Sequence, residues 1–269
     1  MKYTVLTLFP EITDAYFSTS IMAKAIQRGI ISYQAINIRD FALDRHRTCD
    51  DAPYGGGPGM LMLPEPLSRA LEAVGIQKNV ELRVRGLNSS CITHGEKRVI
   101  YLTPSGRPFT QELARELAGE QELVLLCGRY EGIDQRVIDL YIDDEISVGD
   151  YVLSSGEVAA LAVIDATYRL VDKVITPESL DEESFSDGLL EYPQYTRPEI
   201  FDTIKVPDVL LSGHHENIRK WRLERRIEKT LRNRPDLIRK GREQGLFDKE
   251  TNSMIDRQVP AEGDKDERN

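Results

Sequence analysis

LVLLCGRYEGIDQRVIDLYIDDEISVGDYVLSSGE, residues 123–157, contains two predicted strands, each followed by a loop with glycines. It opens with an apolar run at 123–127, which has the length and composition of a strand buried on both faces and stops at Gly128. A second short strand is predicted at 146–148, and the loop that follows it begins at Gly149. Because open α/β sheets bind ligands at the carboxyl ends of their strands, the pattern predicts a ligand site there. Two ordinary strand-to-helix loops are the competing interpretation.

The sequence before this stretch predicts a strand, a helix and a second strand. Residues 3–9 alternate as a strand does, and Pro10 ends the run. Residues 12–28 have the apolar spacing of one helix, with Gly29 as its C-cap, and residues 31–38 have the composition of another strand. A β-α-β unit of this length is typical of a parallel sheet, so the predicted class is α/β with a mostly parallel sheet.

Further elements follow from apolar spacing and capping residues. They are a helix at 63–74, a short hairpin within 76–98, a strand at 99–102, a helix at 110–117 capped by Thr110, and a helix at 158–170. We therefore expect three strand ends, at 102–106, 127–132 and 146–151, to converge on one site.

Composition limits the class of protein. The chain has 269 residues, of which 40% are hydrophobic and 30% charged, as in a soluble globular protein. No apolar run approaches the roughly 20 residues that cross a bilayer, so no membrane contact is expected. The opening MKYTVLTLFPEI lacks the shape of a signal peptide. Cys49, Cys91 and Cys127 are too few and too widely spaced for a disulfide framework or a Cys-x-x-Cys metal site, which favours a reducing cytoplasm.

Charge is distributed unevenly along the chain, whose net charge is −10. Residues 214–243 hold eleven Lys or Arg against five Asp or Glu, which predicts a locally basic surface. Residues 178–191 hold six acids and no base. The resulting division is a first domain at 1–173, a flexible acidic linker at 174–190, a helical RNA-binding domain at 191–246 and a disordered tail at 247–269.

The glycine-rich segment GGGPG at 55–59 could be mistaken for a phosphate loop. It lacks the Lys and Ser/Thr that hold phosphate and metal in a P-loop. A surface turn and a flexible loop facing RNA or a partner remain as interpretations.

Three motifs, YLTPSGRPF, CGRYEGIDQRVI and SVGDYVLSSGE, resemble the cofactor-binding loops of the bacterial tRNA (guanine-N1)-methyltransferases, which belong to the SPOUT trefoil-knot methyltransferases. The resemblance extends from LFPE near the start to KWRLERR near the end. It implies a homodimer that uses S-adenosylmethionine to methylate N1 of guanine 37, just 3′ of the anticodon in tRNA. It also implies a C-terminal knot in the first domain, which general topology rules would not predict. Ser105 and Ser155 depart from the Gln and Gly usual in the family.

The resemblance implies a set of cofactor-binding residues. They are Leu102, Thr103, Pro104, Gly128, Tyr130, Glu131, Val148, Gly149, Asp150, Tyr151, Val152, Leu153 and Gly156. Tyr101 or Tyr151 would supply a wall, and Glu131 and Asp150 would face the cationic methionine end of the cofactor. The alternative for Glu131 is a simple ion pair with Arg129.

The catalytic residues implied by the resemblance are Arg169 and Glu183. A general base must take the N1 proton, and an arginine can stabilise the charge that develops at O6. Glu183 replaces the family's aspartate, and Asp181 or Glu182 could serve instead; solvated linker acids are the plainer interpretation. A linker that orders on RNA binding would deliver the base with the correct substrate, which is an induced-fit hypothesis.

The expected RNA contacts are Asp44, His46, Asp50, Arg219, Arg222 and Arg226. The family also implies Mg²⁺, although the sequence shows no dedicated cluster of metal ligands. Three other functions compete with this one. They are a knotted methyltransferase acting on another RNA, a non-catalytic RNA-binding module, and a Rossmann-type methyltransferase, which the absence of Gly-x-Gly-x-x-Gly after the first strand disfavours.

Overall fold

The computed structural model describes residues 1–78, 96–176 and 183–259. The chain separates into two compact units, Met1–Ile175 and Thr176–Asn269. The predicted hairpin within 76–98 lies mostly outside the described residues.

A five-stranded parallel sheet forms the centre of the first unit. The strands in chain order are β1 (Lys2–Thr7), β2 (Ser32–Asn37), β3 (Asp50–Asp51), β4 (Leu61–Met62), β5 (Lys97–Pro108), β6 (Glu122–Cys127) and β7 (Asp144–Ser147). The sheet order is β2-β1-β6-β5-β7, and β3 and β4 form a separate antiparallel pair. Every residue of β6 is buried, as a central parallel strand requires. The predicted α/β class with a parallel sheet is therefore confirmed.

Helices cover both faces of this sheet. They are α1 (Pro10–Phe17), α2 (Ser20–Gln27), α3 (Pro64–Ala73), α4 (Gln111–Ala118), α5 (Gln135–Tyr141) and α6 (Gly156–Tyr168). One apolar core contains Phe17, Met22, Leu117 and Ile164 and packs on one face of the sheet. The other core contains residues of α3 and α5, so the first unit is a three-layer α/β structure.

The single helix predicted at 12–28 is wrong, because the structure has two helices there. Ser18 donates its hydroxyl to the carbonyl of Ala15 at 2.8 Å, and Thr19 donates to the carbonyl of Tyr16 at 3.0 Å. Side-chain bonds of this kind compete with the helical hydrogen bonds of the backbone. Gly29 follows α2 with a φ of +69°, as a left-handed C-cap should.

β5 does not end at Leu102 as predicted. Both Leu102 and Arg107 pair with Ile146 of β7, so residues 103–106 bulge out of the ladder before the strand resumes. Gly106 permits this return, since a Cβ there would lie 2.4 Å from the backbone nitrogen of Ile146. The bulge places one of the three motifs at the carboxyl edge of the sheet.

The second unit is mostly helical. It contains β8 (Ile200–Phe201), β9 (Ile204–Lys205), α7 (Asp208–Leu211), α8 (His215–Asn233), α9 (Pro235–Glu243) and α10 (Lys249–Gln258). Its core consists of Leu189, Ile227, Ile238 and Ile255. The small helical domain at the carboxyl end is thus confirmed.

Two boundaries of the second unit differ from the sequence-based division. The tail predicted to be disordered from residue 247 contains α10, which Asp248 caps by accepting from the backbone N–H of Thr251 at 2.7 Å and which buries Ile255. Residues 183–190, assigned to a flexible linker, pack on α8: Leu189 is buried, and the N–H of Leu190 donates to Thr230 Oγ1 at 2.9 Å.

Within the ranges described, none of the helices combines the length and apolar character needed to span a bilayer. The trefoil knot implied by the resemblance stays a prediction.

Candidate functional site

The carboxyl ends of β5, β6 and β7 enclose a cleft of about 750 Å³, its open mouth included. Its lining residues are Tyr101, Leu102, Thr103, Pro104, Gly128, Arg129, Tyr130, Glu131, Gly132, Ile146, Ser147, Val148, Gly149, Tyr151, Val152, Leu153, Ser154, Ser155, Gly156 and Ala159. The three motifs therefore meet at one site, where open α/β sheets bind ligands.

All of the predicted cofactor residues line this cleft except Asp150, which is exposed and does not contribute to its wall. The predicted cofactor set does not contain Arg129, Gly132, Ile146, Ser147, Ser154, Ser155 or Ala159, which also line the cleft. Ser154 lies within the motif SVGDYVLSSGE, so the motif could have predicted it as a cofactor-binding residue. Ala159 lies one turn into α6, and its position in the wall depends on how that helix packs on β6.

A close approach of two glycines forms the base of the cleft. A Cβ on Gly156 would lie 2.7 Å from the backbone nitrogen of Gly128 and 2.8 Å from Cα of Cys127. The N–H of Gly156 donates to the carbonyl of Gly128 at 2.9 Å. Because neither residue has a side chain, the first turn of α6 lies directly against the end of β6.

The two departures from the family pattern are conformationally tolerated. Ser155 has a φ of −163°, which is extended backbone that any residue adopts, so no glycine is required there. Ser105 lies in the bulge with its Oγ 3.0 Å from Oγ1 of Thr103. Both positions keep the motif at the cleft.

A buried ion pair lies behind the loop that follows β6. Arg129 Nε is 3.3 Å from Oε2 of Glu157, whose side chain is fully buried. The other carboxylate oxygen of Glu157 accepts from Thr7 Oγ1 at 2.5 Å, and the Arg129 guanidinium lies 4.4 Å from the ring centre of Phe9. Arg129 thus pairs with Glu157 rather than with Glu131. Burial, and secondarily the Glu157 charge, raises the pKa of Cys127 well above its usual range.

Asp50 lies beside the cleft. Tyr130, which has a left-handed φ of +59°, donates its hydroxyl to Asp50 Oδ1 at 3.1 Å. Burial, followed by the neighbouring Asp50, raises the pKa of Tyr130. Asp50 therefore connects β3 to the loop that follows β6.

Asp44 has a local role in the structure. Its carboxylate accepts from the backbone N–H of His46 at 3.0 Å and from the N–H and hydroxyl of Thr48, each at 2.8 Å. The hydroxyl bond and the backbone bond from Thr48 hold the pKa of Asp44 below its usual range. These bonds use the carboxylate to shape the loop, and the RNA contact of Asp44 stays a prediction. His46 is exposed.

Arg226 does not fit the RNA contact predicted for it. It is 7% exposed, and its guanidinium forms a bidentate ion pair with Asp187, in which Nη1 lies 2.8 Å from Oδ2. Its Nε also donates to the carbonyl of Leu190 at 3.3 Å. The arginine therefore fastens residues 183–190 to α8, and a phosphate could reach it only by breaking these bonds.

The other two predicted arginines of α8 also have partners within the unit. The Arg222 guanidinium lies 4.6 Å from the ring centre of Tyr192. Arg219 pairs with Glu216 and Glu250, each at 2.9 Å, and its side chain is exposed. The hydrogen bond from Arg219 lowers the pKa of Glu216 to about 2.

The two predicted catalytic residues belong to different units. Arg169 is the half-buried residue that follows the last turn of α6. Glu183 is half-buried, and its carbonyl accepts from the N–H of Ser186 at 3.2 Å. Asp181 and Glu182, the alternative bases, lie outside the described residues.

Comparison with known proteins agrees with the motifs. Residues 1–240 match the family described as tRNA (Guanine-1)-methyltransferase TrmD. This chain belongs to the tRNA (guanine-1)-methyltransferase family. The family match includes the whole parallel sheet and α8, whereas α10 lies beyond it.

Relatives in this methyltransferase family are similar over nearly their full length. A tRNA (guanine-N(1)-)-methyltransferase of Treponema denticola is 63% identical over 255 residues, which cover 95% of this chain and 98% of the relative. One from Treponema pallidum is 57% identical over 255 residues, or 95% of each chain. One from Borrelia duttonii is 57% identical over 242 residues, covering 89% of this chain and 93% of the relative.

Proposed function

We propose that this chain transfers a methyl group from S-adenosylmethionine to N1 of the guanine just 3′ of the anticodon, position 37 of tRNA. The observation that carries the proposal is the single cleft lined by all three motifs, in a chain that belongs to the tRNA (guanine-1)-methyltransferase family. Curated relatives named tRNA (guanine-N(1)-)-methyltransferase support the base and the RNA class. The homodimer and the cytoplasmic location implied by the family are part of the same proposal.

The cleft suits S-adenosylmethionine in the chemistry of its lining. Tyr101 and Tyr151 offer apolar walls for an adenine. The carboxylate of Glu131 in the wall suits the cationic methionine end. When bound, the cofactor supplies an electrophilic methyl group on a sulfonium.

Magnesium fits less well. Among the residues that the structure describes, no group of three or more His, Cys, Asp or Glu is placed to hold a metal ion. No step of the proposed reaction is assigned to a metal.

The proposed chemistry places a proton acceptor and a cation around the guanine. Glu183 accepts the N1 proton while the bond from N1 to the methyl carbon forms and the bond from sulfur to that carbon breaks. Arg169 stabilises the negative charge that develops at O6 during proton loss. S-adenosylhomocysteine and N1-methylguanine are the products, and the carboxylate ends the step protonated.

The tRNA is proposed to bind on the basic surface of the second unit. Because Arg226 and Arg222 are engaged with Asp187 and Tyr192, the phosphate contacts fall to other basic residues of α8 and α9. The candidates are Arg219, Lys220, Arg225, Lys229, Arg232, Arg239 and Lys240. Contacts to phosphates make affinity strongly dependent on salt without selecting a sequence.

Methyl transfer from labelled S-adenosylmethionine tests the proposal. Two transcripts of one tRNA serve as substrates, with guanine or adenine directly 3′ of the anticodon. We expect label in the guanine transcript alone, located at N1 by nucleoside analysis. Label in neither transcript would contradict the proposal; if the cofactor still bound, another RNA substrate or a non-catalytic module would account for the chain.

Three matched variants test the assignment of the base. Glu183→Gln keeps the size of the side chain but cannot accept the proton, so kcat should fall by roughly 10²–10⁴-fold. Asp181→Asn and Glu182→Gln remove neighbouring carboxylates and should retain activity. A large loss in either of these with activity kept in Glu183→Gln would transfer the base to that residue.

A further inference from the structure

The glycine-rich segment at 55–59 contains one glycine that differs from the others. Gly55, Gly56, Gly57 and Gly59 all have left-handed φ angles, of +89°, +79°, +123° and +88°. A Cβ on any of the first three would meet no atom within 4 Å among the described residues. A Cβ on Gly59 would lie 2.4 Å from Cγ and 2.5 Å from Oε1 of Glu131.

Backbone hydrogen bonds hold the two segments together at this point. The N–H of Glu131 donates to the carbonyl of Met60 at 3.1 Å, and the N–H of Met62 donates to the carbonyl of Gly132 at 2.9 Å. Met62 also forms an isolated parallel bridge with Ile133. Residues 60–62 therefore run as a short extra ladder beside the loop that follows β6, and Gly59 enters this ladder directly against the Glu131 side chain.

We propose that Gly59 is a positioning residue of the cofactor cleft, whose missing side chain keeps the Glu131 carboxylate in the cleft wall. The inference takes its ligand, S-adenosylmethionine, from the proposed function. It assigns the glycine-rich segment a role in positioning Glu131, which differs from both a phosphate loop and a surface turn. Glu131 would act on the cationic methionine end, and Gly59 would act through Glu131.

The geometry separates this role from simple backbone strain. All of the atoms that a Cβ on Gly59 would meet first belong to the flexible Glu131 side chain, so that side chain would rotate away while the fold remains. Gly55 has a φ within one degree of that of Gly59, so an alanine there also has a left-handed φ, and space is open around it. Gly55→Ala is therefore a matched control for Gly59→Ala.

The test is calorimetric titration of S-adenosylmethionine into the full-length wild type and four variants: Gly59→Ala, Gly55→Ala, Glu131→Ala, and Gly59→Ala combined with Glu131→Ala. We expect Gly59→Ala and Glu131→Ala each to raise Kd by roughly tenfold, since each removes one charge-assisted contact. Gly55→Ala should change Kd by less than about threefold. The double variant should bind as Glu131→Ala does, because the side chain that the new methyl displaces is already absent.

Equal Kd values for Gly59→Ala and Gly55→Ala would overturn the inference, as would additive losses in the double variant. A wild type that binds no S-adenosylmethionine would instead overturn the proposed function. In that case the contact is still decided by melting temperatures. Gly59→Ala should lower the Tm of the wild type by more than it lowers the Tm of Glu131→Ala, because the displaced side chain is absent in the second background; equal shifts in the two backgrounds would overturn the inference.

Discussion

Nε of Arg129 lies 3.3 Å from Oε2 of Glu157, and the carboxylate is completely shielded from solvent. The pair joins the loop after β6 to the first turn of α6, and Thr7 of β1 donates to the other carboxylate oxygen. Burying a carboxylate is costly unless its charge is compensated, and Oε2 of Glu157, which accepts no hydrogen bond from the described residues, has the Arg129 charge beside it. The pair therefore holds the cleft loop and the helix in one arrangement.

Replacing Glu157 by Gln should destabilise the first unit. The change leaves the Arg129 side chain, which is only 23% exposed, without a negatively charged partner. We therefore expect a loss of roughly 2–3 kcal/mol in the free energy of unfolding. Urea unfolding followed by far-ultraviolet circular dichroism measures it. As a control, Glu65→Gln breaks the exposed pair of Glu65 with Arg69 and should cost about 0.5 kcal/mol or less. Equal losses in the two variants would contradict a structural role for the buried pair.

Gly156→Ala should close the base of the cleft. The new Cβ would meet backbone atoms of Gly128 and Cys127, which cannot rotate away as a side chain can. We expect a loss of about 2–3 kcal/mol in stability and at least tenfold weaker binding of S-adenosylmethionine. Gly119→Ala is the control, because its Cβ would meet one carbonyl oxygen at 3.3 Å, far from the cleft. Unchanged cofactor affinity in Gly156→Ala would show that the glycine contact does not shape the site.

Asp143 makes stability depend on pH. Burial raises the pKa of its carboxyl to about 7, although one oxygen accepts from the N–H of Val99 at 2.7 Å. Because this pKa lies above that of the unfolded chain, the folded protein binds more protons between about pH 4 and pH 7. The stability contributed by the protonated carboxyl is present below this window and is lost as pH rises through it.

Asp143→Asn should therefore remove this part of the pH dependence. Relative to the variant, the wild type should lose on the order of 2–4 kcal/mol in the free energy of unfolding between pH 4 and pH 8. Chemical unfolding of both proteins at several pH values measures the difference between their free energies of unfolding. The contributions of the other titrating groups largely cancel in this difference. A difference between the two proteins that stays constant with pH, or grows in favour of the wild type as pH rises, would refute the assignment.

Arg226→Met should release residues 183–190 from α8. The pair of Arg226 with Asp187 and the bond to the Leu190 carbonyl are both lost, so the backbone N–H groups of that segment should exchange with solvent at least tenfold faster. Hydrogen exchange read by mass spectrometry gives the rates, and the fluorescence of Trp221, the single tryptophan, reports whether the second unit stays folded. Arg232→Met, at an exposed position of the same helix, is the control and should leave the exchange unchanged.

Local signals in the sequence predicted most of the first unit. The apolar run at 123–127 is β6, and Thr110 caps α4 by accepting from the N–H of Leu113. Such features depend on residues adjacent in the chain, so a pattern can reveal them. The family motifs predicted most of the cleft wall for the same reason, since each motif is continuous in sequence.

Features that depend on distant residues were not predictable. The partner of Arg129 is Glu157 rather than the adjacent Glu131, and the partner of Arg226, which was predicted to contact RNA, is Asp187. A charge pattern cannot show which basic residues the fold itself will use. The division of one predicted helix at Ser18 likewise depends on side-chain bonds that compete with helix formation and that spacing rules ignore.

The pairing of β1 with β6 has a consequence for synthesis on the ribosome. Lys2 lies opposite Glu122, so the first strand must wait for a partner 120 residues later in the chain. At about 5–20 residues per second, translation of that interval takes roughly 6–24 s. In the folded protein β1 lies between β2 and β6. During this time β1 can pair only with β2, and its other edge is unpaired. Nascent chains should therefore need protection of that apolar edge, for instance by a chaperone, until the central strand has emerged.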